Sequence, residues 1–123
     1  MVTFVEFDPQ VSVFRQMDDE SGGPVVLINR FDIAPEDVER FLAAWGTDAN
    51  LMKRQPGFIS TQLHRGIGGS TVFVNYAVWE SPAHFKRAFR NPEFQSGLKN
   101  YPSSAVTSPH LFRKVAIDGV CVA

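Results

Sequence analysis

The chain has 123 residues, of which 44% are hydrophobic and 20% charged, and its net charge is −1 at pH 7. These values predict one globular domain with a real core, and the nearly neutral charge excludes a basic surface for nucleic acid or anionic membrane. The first residues lack a basic region followed by a long apolar run, no segment approaches membrane-spanning length, and Cys121 is the single cysteine. We therefore predict a soluble, cytoplasmic protein without an internal disulfide.

The N-terminal segment, residues 1–22, is predicted to be an extension. Pro9 and the acidic run "DDE" interrupt its strand-like stretches, and such a run is typical of a solvated linker. The compact domain is predicted over residues 23–117, with residues 118–123 as a C-terminal tail. Its first segment, "GPVVLINRFDI", predicts a strand over about 25–33.

A helix is predicted next, in "APEDVERFLAAWGTDANLMKRQPG". Pro35 suits its first turn, apolar residues repeat at helical spacing from Val38 to Met52, and the "PG" pair ends it. The stretches "FISTQLHR" and "STVFVNYAVW" then predict a second and a third strand. Because "GIGG" lies between two strands rather than between a strand and a helix, it predicts a hairpin turn and not a phosphate-binding loop.

The last third of the chain predicts one more helix and one more strand. The helix begins after the N-cap Ser81, carries Phe85, and continues after a break through "NPEFQSGLKN". We expect "YPSSAVTSP" to be a loop and "HLFRKVAI" to be the fourth strand. The order β-α-β-β-α-β predicts an α+β fold of the ferredoxin-like, split βαβ type, with a four-stranded antiparallel sheet and both helices on one face.

The third strand predicts a homodimer. Side chains alternate along a strand, so Val72, Val74, Tyr76 and Val78 point to one face while Asn75 and its odd-numbered neighbours point to the other. Both faces are mainly apolar, so both must be covered. The helices cover one, and the simplest cover for the other is a second copy of the same sheet.

Asn75, Asn29 and Trp79 form the candidate binding site. Asn75 and Trp79 share one face of the third strand, and Asn29 lies on the face of Phe31 in the first strand. Because these strands are neighbours in a split βαβ sheet, the three side chains should face one apolar space with few hydrogen-bond donors, which is typical of a small-molecule site. Two alternatives remain: the asparagines bond each other, and the Trp79 indole N–H meets a carbonyl in the core.

Metal binding, nucleophilic catalysis and acid–base catalysis have weaker support in the sequence. The histidines His64, His84 and His110 lie on three different elements without helical pairing or a cysteine partner, so we predict no metal site. No Ser-His-Asp or Cys-His arrangement follows from the spacing. The strand faces that line the predicted pocket also lack paired carboxylates, so the sequence offers donors and aromatic surface but few titrating groups.

These residues carry a resemblance to a known family. The stretches "KRQPGFISTQLHR" and "VFVNYAVWESPAHFKRAF", with the glycine hairpin between them, resemble the antibiotic biosynthesis monooxygenase family from about Pro24 to Ile117. The resemblance implies a dimeric α+β barrel of ferredoxin-like subunits. It also implies oxidation of an electron-rich, polyketide-like aromatic by O2 without metal, flavin or other cofactor, in a pocket lined by the asparagine and tryptophan that match Asn75 and Trp79. We expect Asn75, Asn29 and the Trp79 N–H to be the catalytic donors, because they can stabilise a developing oxyanion.

The resemblance also implies substrate contacts. Pocket tyrosines of quinone-forming members fall at Leu63 and Phe85, and a basic residue falls near Lys99, so we expect these residues and Phe31 to bind the substrate. A haem-degrading branch of the superfamily is the alternative, but its axial histidine position is Leu98 here. Two non-catalytic alternatives are a small-molecule-binding domain and an auxiliary subunit that docks through residues 1–22.

Overall fold

The computed structural model describes residues 2–123, which contain five strands and four helices. The strands are β1 (Thr3–Phe4), β2 (Val25–Asp32), β3 (Phe58–Arg65), β4 (Val72–Trp79) and β5 (Val106–Phe112). The helices are α1 (Val13–Met17), α2 (Val38–Met52), α3 (Pro82–Phe89) and α4 (Pro92–Gly97), with 3-10 turns at Pro35–Asp37 and Leu98–Asn100. Across residues 2–123, no helix has the length and apolar character needed to cross a membrane.

The sheet has the strand order β1-β5-β2-β4-β3. Strands β2, β3, β4 and β5 pair antiparallel, and with α2 and α3 they form the predicted ferredoxin-like split βαβ arrangement. The sheet has five strands where four were predicted, because β1 adds a parallel strand along the edge of β5. The predicted adjacency of the first and third long strands is confirmed, and Asn29 pairs directly with Asn75.

The predicted position of the last strand was wrong. Strand β5 covers Val106–Phe112, so part of the predicted loop is strand and the residues from Arg113 leave the sheet. Pro109 favoured a loop because proline cannot donate to a strand ladder. It is tolerated here because β1 pairs only with Val106 and Thr107, which leaves that edge of β5 unpaired at Pro109.

The N-terminal segment folds back onto the domain. Val13 is fully buried and Met17 is 3% exposed, and both belong to the same core cluster as Leu27 and Trp79. The buried core therefore takes in residues that precede the predicted domain start. The N-cap Ser12 accepts a hydrogen bond from the Arg15 backbone N–H, which explains why so short a helix begins there.

The two faces of the sheet have different cover. Phe73, Ala77 and Trp79 of β4 are buried in two clusters with side chains of the helices, so the helices lie on the odd-numbered face. The even-numbered side chains of β4 are less buried: Val72, Val74 and Val78 are half-buried, and Tyr76 is 40% exposed. The helix start predicted at Ser81 is confirmed, because its hydroxyl accepts from the His84 backbone N–H.

Candidate active site

A cavity of about 330 Å³ lies between the sheet and the helices. This volume lies in the range of small-molecule sites, about 300–1,000 Å³. Most lining side chains are apolar or aromatic, and no lysine, arginine, histidine or cysteine of the described chain is among them. The polar lining residues are few: Asn29, Asp48, Thr61, Asn75, Tyr101 and Thr107, with the indole of Trp79.

Asn29 is held on the cavity wall by strand β5. Its side-chain oxygen accepts from the Thr107 hydroxyl at 2.7 Å and from the Ser108 backbone N–H at 3.2 Å. The backbone N–H can only donate, so this contact determines which end of the amide is the oxygen. Among residues 2–123 the amide nitrogen donates to no protein acceptor and is left to serve a ligand or water.

Asn75 is held in the same way by strand β3. Its oxygen accepts from the Thr61 hydroxyl at 2.6 Å. Thus the two asparagines pair in register but do not bond each other, and the alternative in which they satisfy one another is wrong. Each oxygen is occupied by a neighbouring strand, which leaves two amide NH2 groups on the lining of one apolar cavity.

Trp79 forms the inner end of the cavity. The side chain is 2% exposed and packs edge-on against Phe58 and Phe85, with ring centroids 5.4 and 5.8 Å away. Its indole Nε1 is buried with no hydrogen-bond partner among the described residues, so the alternative in which it meets a carbonyl in the core is wrong. A buried donor without an acceptor costs about 1–3 kcal/mol, so this group requires an explanation.

Asp48 lines the cavity although the sequence analysis does not include it among the candidate site residues. It lines the cavity from α2, is 7% exposed, and its Oδ2 is buried without a hydrogen-bond partner. Burial raises the pKa of this carboxyl, and a hydrogen bond with the Tyr101 hydroxyl opposes that rise. Burial also raises the pKa of the Tyr101 hydroxyl, and the nearby Asp48 charge raises it further. This hydroxyl therefore stays neutral and donates to the Asp48 carboxyl.

A signal for Asp48 was present in the helix pattern. On α2 the buried positions Phe41, Ala44, Asp48 and Leu51 follow helical spacing, so a carboxylate occupies a place in the apolar stripe. A charged residue at such a position is costly unless it is paired or functional.

Of the four residues expected to contact the substrate, two line the cavity and two do not. Phe31 and Phe85 line the cavity beside the asparagines and Trp79. Leu63 does not line it; this side chain packs at the edge of the core and faces a shallower depression next to the cavity. Lys99 is exposed and also absent from the lining. Its position next to α4, at the end of the second helical stretch, keeps it on the surface.

Metal-ligating side chains are not brought together in the described part of the chain. Residues 2–123 contain no group of three or more His, Cys, Asp or Glu side chains that could hold a metal ion. Leu98, at the position where the haem-degrading branch has its axial histidine, lines the cavity as an apolar side chain.

The fold and the cavity define a small α+β protein with a largely apolar, donor-lined pocket, and comparison with known proteins gives its family. The sequence model of the antibiotic biosynthesis monooxygenase family matches residues 24–100. This match covers more than half of the chain, and the chain therefore belongs to that family.

Two relatives from Streptomyces are each similar over more than half of the chain. The tetracenomycin-F1 monooxygenase of Streptomyces glaucescens is 36% identical over 72 residues, which are 56% of this chain and 62% of that protein. The deoxynogalonate monooxygenase of Streptomyces nogalater is 32% identical over 80 residues, 65% of this chain and 67% of that protein. The chain thus spans less than two thirds of the first relative's length.

Solved structures extend the comparison. SnoaB, a cofactor-independent oxygenase from Streptomyces nogalater, superposes with a TM-score of 0.67 at 27% identity, covering 79% of this chain and 98% of SnoaB. A structure from Shewanella loihica PV-4 gives a TM-score of 0.67 at 31% identity, covering 78% of this chain and 98% of that one. About a fifth of the present chain therefore has no counterpart in either structure.

Proposed function

We propose that the chain oxidises a flat, electron-rich hydroxyarene with O2 in this cavity, without a metal or a flavin. The observation that carries the proposal is the pair of unoccupied amide donors, Asn29 and Asn75, on the wall of an otherwise apolar cavity. Membership of the family and the two relatives named as monooxygenases support the same reaction class.

The reaction is written for an anthrone-type substrate, in which a ring CH2 becomes a carbonyl. The substrate loses a proton, and the resulting anion passes one electron to O2. The radical pair then joins as a peroxide at that carbon. Loss of the second proton from this carbon breaks the O–O bond, which leaves one oxygen atom as the quinone carbonyl and releases the other as hydroxide. The hydroxide takes up a proton to give water, so one O2 is consumed for each quinone.

The protein's contribution is to stabilise the substrate anion. The two amide N–H groups and the Trp79 N–H are donors in a site that excludes water, where one such donor contributes about 3–4 kcal/mol to transition-state stabilisation. They are fixed before the substrate arrives, because Thr61 and Thr107 hold the asparagines and aromatic rings hold Trp79. Little reorganisation is then required as charge develops.

Asp48 is the group that we propose as the proton acceptor. It is the one carboxylate among the described residues that line the cavity, and its Oδ2 has no partner. Burial raises the pKa of this carboxyl toward neutral pH, and a general base is most effective when its pKa lies near the working pH. Tyr101 would hold the carboxyl in place through its hydroxyl.

The haem-degrading alternative has less support from this site. A haem iron is held in proteins by histidine, cysteine, methionine or tyrosine. Of these four residue types, the described lining contains only Met52 and Tyr101, and the Tyr101 hydroxyl bonds to Asp48. The position of the axial histidine in the haem-degrading branch is Leu98.

The test of the proposed function is O2 uptake with 1,8-dihydroxyanthrone, together with the absorbance of the quinone product. We expect a stoichiometry of one O2 per quinone and no effect of a chelator. Uptake no faster than the uncatalysed rate for every hydroxyarene tried would contradict the proposal.

Asn75→Leu should reduce turnover by about 10²–10³-fold, because it removes a donor from the site. It also removes the acceptor of the Thr61 hydroxyl, at an expected cost of about 0.5–1.5 kcal/mol in the free energy of unfolding. Thr61→Val is the matched control, since it breaks the same bond but keeps the amide. If both variants lose activity equally, Asn75 acts only through the structure.

We also propose that two copies of the chain pair through the even-numbered face of the sheet. On this face Val74 and Tyr76 are not covered by any helix of the described chain, and Tyr76 is 40% exposed. A second sheet would bury these side chains, as an aligned sheet-on-sheet packing does.

Val74→Asp should dissociate this dimer, because an unpaired carboxylate buried between two sheets costs several kcal/mol. Sedimentation equilibrium measures the mass of the variant beside wild type. Ile67→Asp is the control, since Ile67 lies in the hairpin turn and is almost fully exposed. A monomeric wild type would show the interface to be wrong.

A further inference from the structure

The N-terminal segment forms part of the cavity wall, although it precedes the region that defines the family. Val2, Phe4 and Phe14 line the cavity together with residues of the sheet and the helices. The family match begins only at residue 24, and about a fifth of this chain has no counterpart in SnoaB. Val2, Phe4 and Phe14 therefore lie outside the part of the chain that the family model matches.

Three sets of contacts hold the segment in place. Strand β1 bonds to β5, with the Thr3 N–H donating to the Ala105 carbonyl at 2.8 Å. Gln16 on α1 binds both backbone groups of Leu111, accepting from its N–H at 2.8 Å and donating to its carbonyl at 3.0 Å. Asp18 forms an ion pair with Lys86 of α3. Because it is tied at both ends and to two elements, the segment has a defined position against the cavity.

A continuous row of aromatic rings connects this segment to the inner end of the cavity. Phe4 contacts Phe14 at a centroid distance of 5.4 Å, and Phe14 contacts Phe89 at 6.0 Å. The row continues through Phe85 to Trp79. Phe4 is 39% exposed and Phe14 is 49% exposed, so these two rings form the boundary between the cavity and solvent.

We propose that Phe4 and Phe14 are specificity-determining residues, which close the cavity over a fused-ring aromatic ligand and limit its size. Flat rings suit this wall, since aromatic side chains prefer tilted or edge contacts with other rings. The inference rests on the proposed function in that the ligand is taken to be a hydroxyarene. The closure of the cavity by Phe4 and Phe14 does not depend on the proposed function.

The first experiment measures closure without any ligand. The chain has two tryptophans, so Trp45→Phe leaves Trp79 as the single fluorophore. In that background we expect Phe14→Ala and Phe4→Ala to increase quenching of Trp79 by acrylamide. Phe7→Ala should not, because Phe7 lies in the same segment but stacks on His110 at 5.3 Å and is absent from the cavity lining.

The second experiment measures size selection with hydroxyarenes of two, three and four fused rings. Phe14→Ala should raise KM for the ring size that wild type prefers by about tenfold, while kcat changes little, since one aromatic contact is lost far from the reacting atoms. The preference should also shift towards larger ligands. Phe7→Ala should match wild type.

The outcomes separate the two proposals. If Trp79 quenching in Phe14→Ala and Phe4→Ala equals that of Phe7→Ala, the proposal that these two rings close the cavity is wrong, whatever the activity. If wild type oxidises hydroxyarenes but Phe14→Ala keeps the same size preference, specificity lies elsewhere. If quenching rises but no hydroxyarene is oxidised by wild type, the wall is supported and the proposed function fails.

Discussion

Replacing Asp48 by asparagine is expected to stabilise the fold at neutral pH and to slow turnover by about 10²–10⁴-fold, the usual contribution of a general base. Both effects have one cause. The carboxylate is buried with an unpartnered oxygen, so its charge is costly in the folded state, and the same feature is the basis for proposing it as the proton acceptor.

The direction in which stability changes with pH follows from the raised pKa of Asp48. Between the pKa in the unfolded chain, close to 3.8, and the higher pKa in the folded state, the folded protein binds more protons than the unfolded chain. Stability from this group is therefore present below pH 3.8 and is lost as the pH rises through the folded pKa. The advantage of Asp48→Asn should be largest at neutral pH and should shrink as the medium becomes acidic.

Chemical denaturation at several pH values, beside turnover at each pH, measures both effects. Asp118→Asn is the matched control, because it makes the same chemical change at an exposed position in the tail. If Asp48→Asn loses stability and keeps its turnover, the carboxylate is a structural partner of Tyr101 and not a base.

Replacing Trp79 by phenylalanine should lower turnover by about 10²–10³-fold, the effect of one lost donor in an oxyanion site. The free energy of unfolding should change by no more than about 1 kcal/mol, since the lost ring area is offset by removal of a buried donor that has no acceptor. Steady-state kinetics and thermal melting on the same sample measure the two quantities.

Trp45→Phe is the control for Trp79→Phe. Both tryptophans line the cavity, but only the Trp79 Nε1 is buried without a partner. Equal turnover in the two variants would show that the Trp79 N–H serves the packing of the core and has no part in the reaction.

Much of this protein followed from local patterns in its sequence. The alternation of β4 predicted which of its side chains share a face, because that period comes from backbone geometry. The cap at Ser81 predicted where α3 begins. Strand adjacency in a split βαβ sheet then placed Asn29 beside Asn75, and the register confirms that pairing. These features needed no knowledge of distant contacts.

The tertiary structure decided what depends on residues far apart in the chain. Pro109 is accepted in β5 only because the neighbouring edge is left unpaired, and the asparagine oxygens are occupied by Thr61 and Thr107 rather than by each other. Asp48 lines the cavity because folding buries it beside Tyr101. Phe14 reaches the cavity because a short segment folds back across it. Packing selects such contacts from many that local propensity permits equally, so no local pattern could have predicted them.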